Sequence, residues 1–364
     1  MRITKLLSIA ALVVASFAAC VLVFEIALRL AGFDPLLRLS EGRERMLRPS
    51  PHPLVRYELV PGASGSAWGT RVAINDHGFR GPDVPPTPRP DYRVLVLGDS
   101  IAFGNFLGVR KTFSYQLQQL LDADPGDFQV LNFAVGGYDT LQEVAVVSAR
   151  GLEYQPDLVI VTYCLNDIGV ISTNLALLEQ LELRRGNPLF RLRSLQFVMD
   201  RIDRFRLRDW VDHKNDLDVF RREYAEQIDR VDDDEEALLA LMDGVSGQFP
   251  SPWYRSSARV GRLRFALGWL ADLSEREGFS VLVTIIPRLE GDASSYPHTA
   301  AHRIVQHEAR RAGFEVIDFT EPFMKAGMEN LVLGPIDRVH PNGAGHRLIA
   351  ATLAREVRAR ARRR

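Results

Sequence analysis

The sequence predicts an α/β fold in which parallel strands form a central sheet. Two observations support this prediction: short apolar runs that suit strands buried on both faces recur along the chain, and segments with helical spacing separate them. Strands that alternate with helices are typical of a parallel sheet. The predicted strands cover residues 94–97, 128–133, 158–163, 280–286 and 314–319.

The predicted helices lie between and after these strands. Helical spacing covers residues 112–121, 141–152, 260–276 and 302–312, and a last helix begins near Gly343 and runs to the C-terminus. Residues 172–257 are charged, have helical periodicity and show no clear strand. Because such a stretch is too long for a loop in a compact domain, we expect a helical insertion there.

Composition and charge narrow the function classes. With 46% hydrophobic residues among 364, the chain has enough apolar sequence for a full core. A net charge of −1 without a basic stripe gives no reason to expect a nucleic-acid partner. The two cysteines, Cys20 and Cys164, build neither a disulfide framework nor a cysteine-based metal site. The turn after the first core strand matches no nucleotide-binding glycine pattern, which excludes a nucleotide-binding α/β domain.

The N-terminus carries a candidate membrane segment. Arg2 and Lys5 precede residues 6–24, which are apolar apart from two serines and are long enough to span a bilayer. Ala18-Ala19 is a possible cleavage site, and Cys20 lies in a poor lipobox. Because the apolar run continues past both, we favour a retained signal anchor over residues 1–30.

Two sequence signals bear on the orientation of this anchor, and they disagree. A short basic region ahead of an apolar run is typical of an export signal. The arginines between residues 29 and 48 favour the opposite orientation, because cytoplasmic flanks carry more Lys and Arg. We expect the domain to lie outside the cytoplasm, with a single N-terminal helix as its anchor.

Residues 31–90 precede the predicted sheet. Residues 31–70 are rich in Pro, Gly, Ser and Arg, residues 72–81 contain turn signals between short strands, and residues 82–90 hold five prolines. We therefore expect a linker with short strands packed on a domain that covers residues 91–364. Within this stretch Arg80 either approaches the functional site or pairs with a core carboxylate.

Chemically useful residues follow the predicted strands. Ser100 follows the first strand, Gly137 the second and Asn166 the third, while Asp337 and His340 share a loop before the last helix. Taken singly, the serine and the asparagine fit helix caps, the glycine fits a tight turn and the histidine fits the surface. A parallel sheet brings the loops at its carboxyl edge together, so we expect these residues to form one site.

Together these residues suit nucleophilic acyl transfer. The Ser100 hydroxyl is a weak nucleophile until a base such as His340 accepts its proton, and Asp337 is well placed to fix the tautomer of that base. The backbone N–H groups of Ser100 and Gly137 and the side-chain amide of Asn166 can bind the developing oxyanion. This chemistry requires neither a metal ion nor an organic cofactor.

The order of the motifs resembles that of the SGNH hydrolases, also called GDSL-type esterases and lipases. The resemblance covers about Tyr92 to the C-terminus, except for the middle segment, and residues 75–81 resemble a segment of membrane-anchored bacterial members. The third block departs from the family pattern, because Cys164 replaces its usual glycine; we interpret Cys164 as a buried apolar residue. The four blocks are Gly98-Asp99-Ser100, residues 132–137, Leu165-Asn166-Asp167 and residues 337–340.

The resemblance implies a three-layer α/β/α, flavodoxin-like sheet with a helical insertion. It implies that Ser100 is the nucleophile, His340 the base and Asp337 its orienting group, and that Gly137 and Asn166 are oxyanion donors. The expected protein is a membrane-anchored serine esterase of an acylated glycan, lipid or small molecule at the cell envelope, with O-acetyl as the simplest acyl group. An O-acyltransferase that passes the acyl group to a sugar hydroxyl and a non-catalytic glycan-binding domain are the alternatives.

Overall fold

The computed structural model describes residues 2–33, 42–123, 126–169, 173–199, 201, 235–291, 296–334 and 337–363. Its strands are β1 (Leu47–Pro49), β2 (Tyr57–Leu59), β3 (Ser64–Ala67), β4 (Thr70–Ala73), β5 (Tyr92–Gly98), β6 (Phe128–Asn132), β7 (Leu158–Tyr163), β8 (Ser280–Ile285) and β9 (Glu315–Asp318). Its helices are α1 (Arg2–Leu30), α2 (Ser100–Phe103), α3 (Phe113–Leu121), α4 (Thr140–Val146), α5 (Thr173–Gly186), α6 (Glu235–Asp243), α7 (Ser257–Glu277), α8 (Thr299–Arg311), α9 (Thr320–Ala326), α10 (Met328–Leu331) and α11 (Gly343–Ala361).

The predicted parallel sheet is confirmed. Its strand order is β6-β5-β7-β8-β9, and every neighbouring pair is parallel. All residues of β5 and β7 are buried, which agrees with their continuous apolar sequences. In this doubly wound order the chain leaves β5 toward one edge and returns to the other, so a crevice opens at the carboxyl ends of β5 and β7.

Helices cover both faces of the sheet. On one face α3 packs against α11, and on the other face α4 packs against α7, which in turn contacts α8. The predicted helices at residues 260–276 and 302–312 correspond to α7 and α8, and the last helix begins at Gly343 as expected. These layers confirm the three-layer α/β/α fold.

Two antiparallel hairpins, β1–β2 and β3–β4, precede the sheet. Their side chains share the main hydrophobic core, and Tyr57 and Val72 have no exposed surface. The Phe79 ring stacks on the Phe133 ring at 5.0 Å between centroids. Residues 42–81 therefore bury apolar surface against the segment that follows β6.

The N-terminal helix α1 is exposed at residues 7–24 and becomes buried only at Glu25 and Leu28. Residues Leu7–Leu30 are long and apolar enough to cross a membrane. This composition suits either an anchor or a signal sequence.

The predicted insertion at residues 172–257 lies partly outside the described residues, which leave out 172, 200 and 202–234. The described part contains α5, a helical segment at residues 193–199, and α6. These helices agree with the predicted helical character of the insertion.

Candidate active site

A strained turn places Ser100 at the carboxyl end of β5. Gly98 has a φ of +145°, and a Cβ there would lie 2.7 Å from the Ala102 Cβ and 2.9 Å from the Thr162 carbonyl oxygen. Only glycine fits this approach of two backbones. The cap of α2 is Asp99, whose Oδ1 accepts a hydrogen bond from the Ile101 N–H at 2.9 Å. The Ser100 side chain is thus not the cap of this helix and is available to other groups.

Ser100, His340 and Asp337 form a continuous hydrogen-bonded chain. The Ser100 Oγ lies 2.9 Å from His340 Nε2, and His340 Nδ1 lies 2.8 Å from Asp337 Oδ2. Asp337 Oδ1 also accepts hydrogen bonds from the backbone N–H groups of Val339 and His340, both at 2.9 Å. The loop before α11 therefore fixes the carboxylate and the imidazole together.

The environment of Asp337 keeps its carboxyl group ionised. Burial alone would raise its pKa, but the hydrogen bonds and the charge of His340 outweigh burial and lower the pKa from 3.8 to about 2. The side chains of His340 and Asp337 remain 17% and 26% exposed. An ionised acceptor thus faces Nδ1 of a histidine that solvent can reach.

The predicted oxyanion donors lie on the loops after β6 and β7. Gly137 has a φ of +81°, and the preceding carbonyl, Gly136 O, accepts hydrogen bonds from Tyr57 Oη at 3.1 Å and from Asn174 Nδ2 at 2.5 Å. Asn166 Nδ2 donates to Asp99 Oδ2 at 2.8 Å. Both loops are therefore held by side chains from other parts of the chain.

Asp99 connects the serine to the asparagine. Its Oδ2 accepts a hydrogen bond from Asn166 Nδ2 and lies 3.1 Å from the Ser100 Oγ, whose single hydrogen serves either this oxygen or His340 Nε2, while its Oδ1 caps α2. This role could not be predicted from the sequence, where Asp99 is only the middle residue of the Gly98-Asp99-Ser100 motif. The structure brings all five predicted site residues to the same edge of the sheet, through four different loops.

Phe106 and Arg80 also support the site. The Phe106 ring lies edge-on to the His340 ring at 5.1 Å and is 39% exposed. Arg80 is buried, and its guanidinium donates to the carbonyl oxygens of Phe103, Gly104 and Leu107 at 2.8, 2.6 and 2.5 Å. The prediction that Arg80 pairs with a core carboxylate is therefore wrong: it holds the backbone that follows α2.

Cys164, Glu143 and Asp167 lie buried behind this edge of the sheet. Burial raises the pKa of the Cys164 thiol well above its usual value, and the nearby charges of Asp99 and Asp167 raise it further. Burial raises the pKa of the Glu143 carboxyl in the same way, again with a contribution from Asp99. A protonated thiol is a poor nucleophile, which agrees with the interpretation of Cys164 as an apolar residue.

A second serine and histidine form a similar chain but are inaccessible. Ser251 Oγ lies 2.6 Å from His298 Nδ1, and His298 Nε2 lies 2.7 Å from Glu290 Oε1. Ser251 and His298 have no exposed surface. Because no substrate can reach Ser251, this chain holds the loop after β8 in place.

Metal ligands are not grouped in the described part of the chain. Across these ranges the structure has no cluster of three or more His, Cys, Asp or Glu side chains placed to hold a metal ion.

A comparison with models of protein families finds a match. The model of the GDSL-like lipase/acylhydrolase family matches residues 96–348. None of the curated proteins matches the chain.

Several solved structures resemble the chain at low sequence identity. Axe2, an acetylxylan esterase from Geobacillus stearothermophilus, is 16% identical with a TM-score of 0.40, over 73% of this chain and 94% of its own. TesA is 17% identical with a TM-score of 0.40, over 72% of this chain and 97% of its own. A two-domain esterase active on acetylated mannans is 14% identical with a TM-score of 0.38, over 74% of this chain and 50% of its own.

Proposed function

The chain belongs to the GDSL-like lipase/acylhydrolase family and is an SGNH-type serine hydrolase that acts on esters; on this premise we propose that Ser100, His340 and Asp337 are its catalytic triad. The observation that carries the proposal is the chain of two hydrogen bonds from Ser100 Oγ to His340 at 2.9 Å and from His340 to Asp337 at 2.8 Å. Those distances suit proton transfer from a nucleophile to a base that a carboxylate orients.

In the acylation step His340 acts first as a base and then as an acid. His340 Nε2 accepts the proton of Ser100 as the Oγ forms a bond to the ester carbonyl carbon. The imidazolium that forms is stabilised by the ionised Asp337 at Nδ1–H. When the tetrahedral intermediate breaks down, the bond to the leaving oxygen breaks, and His340 gives its proton to the departing alcohol.

Deacylation repeats these steps with water. His340 Nε2 accepts a proton from a water molecule, whose oxygen attacks the acyl carbon, and the bond to Ser100 Oγ then breaks as the histidine returns the proton. The exposure of the His340 and Asp337 side chains, at 17% and 26%, leaves the base open to water. This favours hydrolysis over transfer to a sugar hydroxyl, which requires water to be excluded.

We propose that the oxyanion site consists of the backbone N–H groups of Ser100 and Gly137 and the side-chain amide of Asn166. The Asn166 amide donates to Asp99 Oδ2 at 2.8 Å, which fixes the plane of the amide, and to Asp167 Oδ1 at 3.3 Å; the substrate oxyanion would replace the longer of these two contacts. Each such donor stabilises the transition state by about 3 to 4 kcal/mol in acyl-transfer enzymes.

The proposed substrate is an acylated glycan or lipid of the cell envelope, with O-acetyl as the simplest acyl group. This proposal rests on α1 as a retained anchor over residues 1–30 and on a domain at residues 91–364 that lies outside the cytoplasm. Tethering limits the reach of the domain to molecules near the membrane. A fusion of alkaline phosphatase to the C-terminus is expected to be active, and an inactive fusion that is stably made would reverse the orientation.

Labelling with a fluorophosphonate tests the triad. We expect the wild-type chain to be labelled and Ser100→Ala and His340→Ala to be unlabelled, because the probe reacts with an activated serine. Ser251→Ala is the matched control, since it removes the inaccessible serine of the second Ser–His–acid chain, and it is expected to keep full labelling. Labelling that survives in Ser100→Ala would contradict the proposal.

A further inference from the structure

Residues 187–199 lie beside the end of α1, where the N-terminal helix meets the rest of the chain. Only Glu25 and Leu28 among residues 7–30 are buried, so α1 contacts the protein through its last turns alone. The contact surface on the other side comes from the segment that follows α5. We call residues 187–199 the interfacial segment.

The buried carboxylate of Glu25 joins α1 to the interfacial segment. Glu25 is 7% exposed, and its carboxylate accepts hydrogen bonds from the backbone N–H groups of Arg193 and Ser194 at 3.0 and 2.7 Å. The Ser194 hydroxyl and Arg29 Nε also donate to it, at 2.9 and 2.7 Å. These N–H groups begin the helical turn at residues 193–199, so Glu25 acts as the cap of this turn.

An aromatic cluster reinforces the junction. The Phe197 ring lies 5.4 Å from the Phe24 ring and 5.3 Å from the Phe33 ring. The Arg201 guanidinium lies over the Phe197 ring, 5.2 Å from its centroid. The interfacial segment is therefore fixed to the C-terminal end of α1 by both polar and apolar contacts.

The outer surface of the interfacial segment is apolar and basic. Leu189, Leu192 and Val198 are 61%, 37% and 48% exposed. Arg191 is also exposed, and residues 187–199 contain two arginines and no acidic residue. Exposed leucines next to arginines are typical of segments that lie in the headgroup region of a bilayer.

We propose that the interfacial segment lies on the bilayer surface beside α1, with Leu189, Leu192 and Val198 buried among the lipid chains and Arg191 at anionic headgroups. The segment contacts α1 at Phe24, and residues 7–24 of α1 are apolar and exposed, which points to a lipid bilayer as the partner of both. The proposal rests on the proposed role of α1 as an anchor.

One helix connects the interfacial segment to the candidate active site. Helix α5 begins where Asn174 Nδ2 donates to the Gly136 carbonyl oxygen and ends at Gly186, one residue before the segment. Its 14 residues have a length of about 21 Å at 1.5 Å per residue. The loop with Gly136 and Gly137 and the interfacial segment thus lie at opposite ends of one short helix.

Quenching by brominated lipid tests the proposal on the full chain in nanodiscs of phosphatidylcholine and phosphatidylglycerol. Leu192→Cys in a Cys20→Ala background carries a bimane label, and bromine atoms on the acyl chains quench a fluorophore that touches them. We expect brominated lipid to lower this fluorescence by about twofold or more. Leu120→Cys, exposed at the end of α3, is the matched control and is expected to keep its fluorescence.

The native Cys20 separates the two proposals. It is exposed on α1, so its label is expected to be quenched if α1 lies in the bilayer. A quenched Cys20 label with an unquenched label at Leu192→Cys would overturn the interfacial segment and leave the anchor standing. An unquenched Cys20 label would overturn both.

Discussion

Replacing Asp337 by asparagine tests whether the carboxylate controls the tautomer of His340. The substitution preserves shape and removes only the charge and one acceptor. In the native loop Oδ2 faces His340 Nδ1, while Oδ1 accepts two backbone N–H groups. An asparagine that keeps its oxygen on the two N–H groups turns its NH2 group toward Nδ1. The histidine then carries its proton on Nε2 and cannot accept the proton of Ser100.

The expected loss of kcat follows from the free-energy cost of turning the asparagine amide the other way round. To present its oxygen to Nδ1, the asparagine must turn its NH2 group toward the N–H groups of Val339 and His340, which leaves two donors unpaired. Each unpaired buried donor costs about 1–3 kcal/mol, so the productive arrangement costs about 2–6 kcal/mol. At about 1.4 kcal/mol per tenfold change, the central value lowers kcat by roughly 10³-fold. Loss of the charge that stabilises the imidazolium brings the expected decrease to about 10⁴-fold.

The assay is the hydrolysis of p-nitrophenyl acetate at neutral pH by the full chain in detergent. We expect kcat to fall while KM changes little, because Asp337 does not contact the substrate. The chain offers a matched control in Asp318→Asn, since His302 Nδ1 lies 2.9 Å from Asp318 Oδ2 without a partner serine. Its kcat is expected to stay near that of the wild type. If Asp337→Asn kept kcat within about tenfold of wild type while Ser100→Ala was inactive, the tautomer argument would be refuted.

Three further outcomes are expected. Asn166→Ala is expected to lower kcat for the same ester by about 10²- to 10³-fold, and an unchanged kcat would exclude this amide from the oxyanion site. Arg80→Met leaves three backbone carbonyls without their donor and is expected to lower the free energy of unfolding by about 3 kcal/mol or more. Urea denaturation measures this loss, and an unchanged midpoint would contradict it. The pKa of Asp337 is about 2 when folded and 3.8 ordinarily, so its ionised form stabilises the folded state above pH 3.8. That contribution is lost as the pH falls from 3.8 through about 2. The difference in free energy of unfolding between wild type and Asp337→Asn should therefore shrink over this pH range, and a difference that widens would contradict the prediction.

The sheet and its loops could be predicted because their signals are local. The continuous apolar run of β7 gave its bounds, Leu158–Tyr163, directly. The general rule that parallel strands end at one edge then brings Ser100, Gly137 and Asn166 together, although they are far apart in sequence.

Other contacts could not be predicted, because they depend on segments that meet only in the folded chain. Nothing in the sequence near Gly136 indicates that Tyr57 and Asn174 bind its carbonyl. The turn that places Phe106 against His340 uses a positive φ of 65° on an aromatic residue, which sequence propensity disfavours. Arg80 was expected either to approach the site or to pair with a carboxylate, but its guanidinium donates to three backbone carbonyls at and after the end of α2.

The packing of β1–β4 has a consequence for the order in which the chain folds. Tyr57 donates to the carbonyl of Gly136 and accepts from Tyr138, which lie 79 and 81 residues later in the chain. At about 5–20 residues per second, the ribosome needs roughly 4 to 16 s to make that stretch. Until residues 136–138 have been made, the apolar side chains of the two hairpins cannot be buried against them. Nascent chains are therefore expected to require a holding chaperone during this interval, on whichever side of the membrane they emerge.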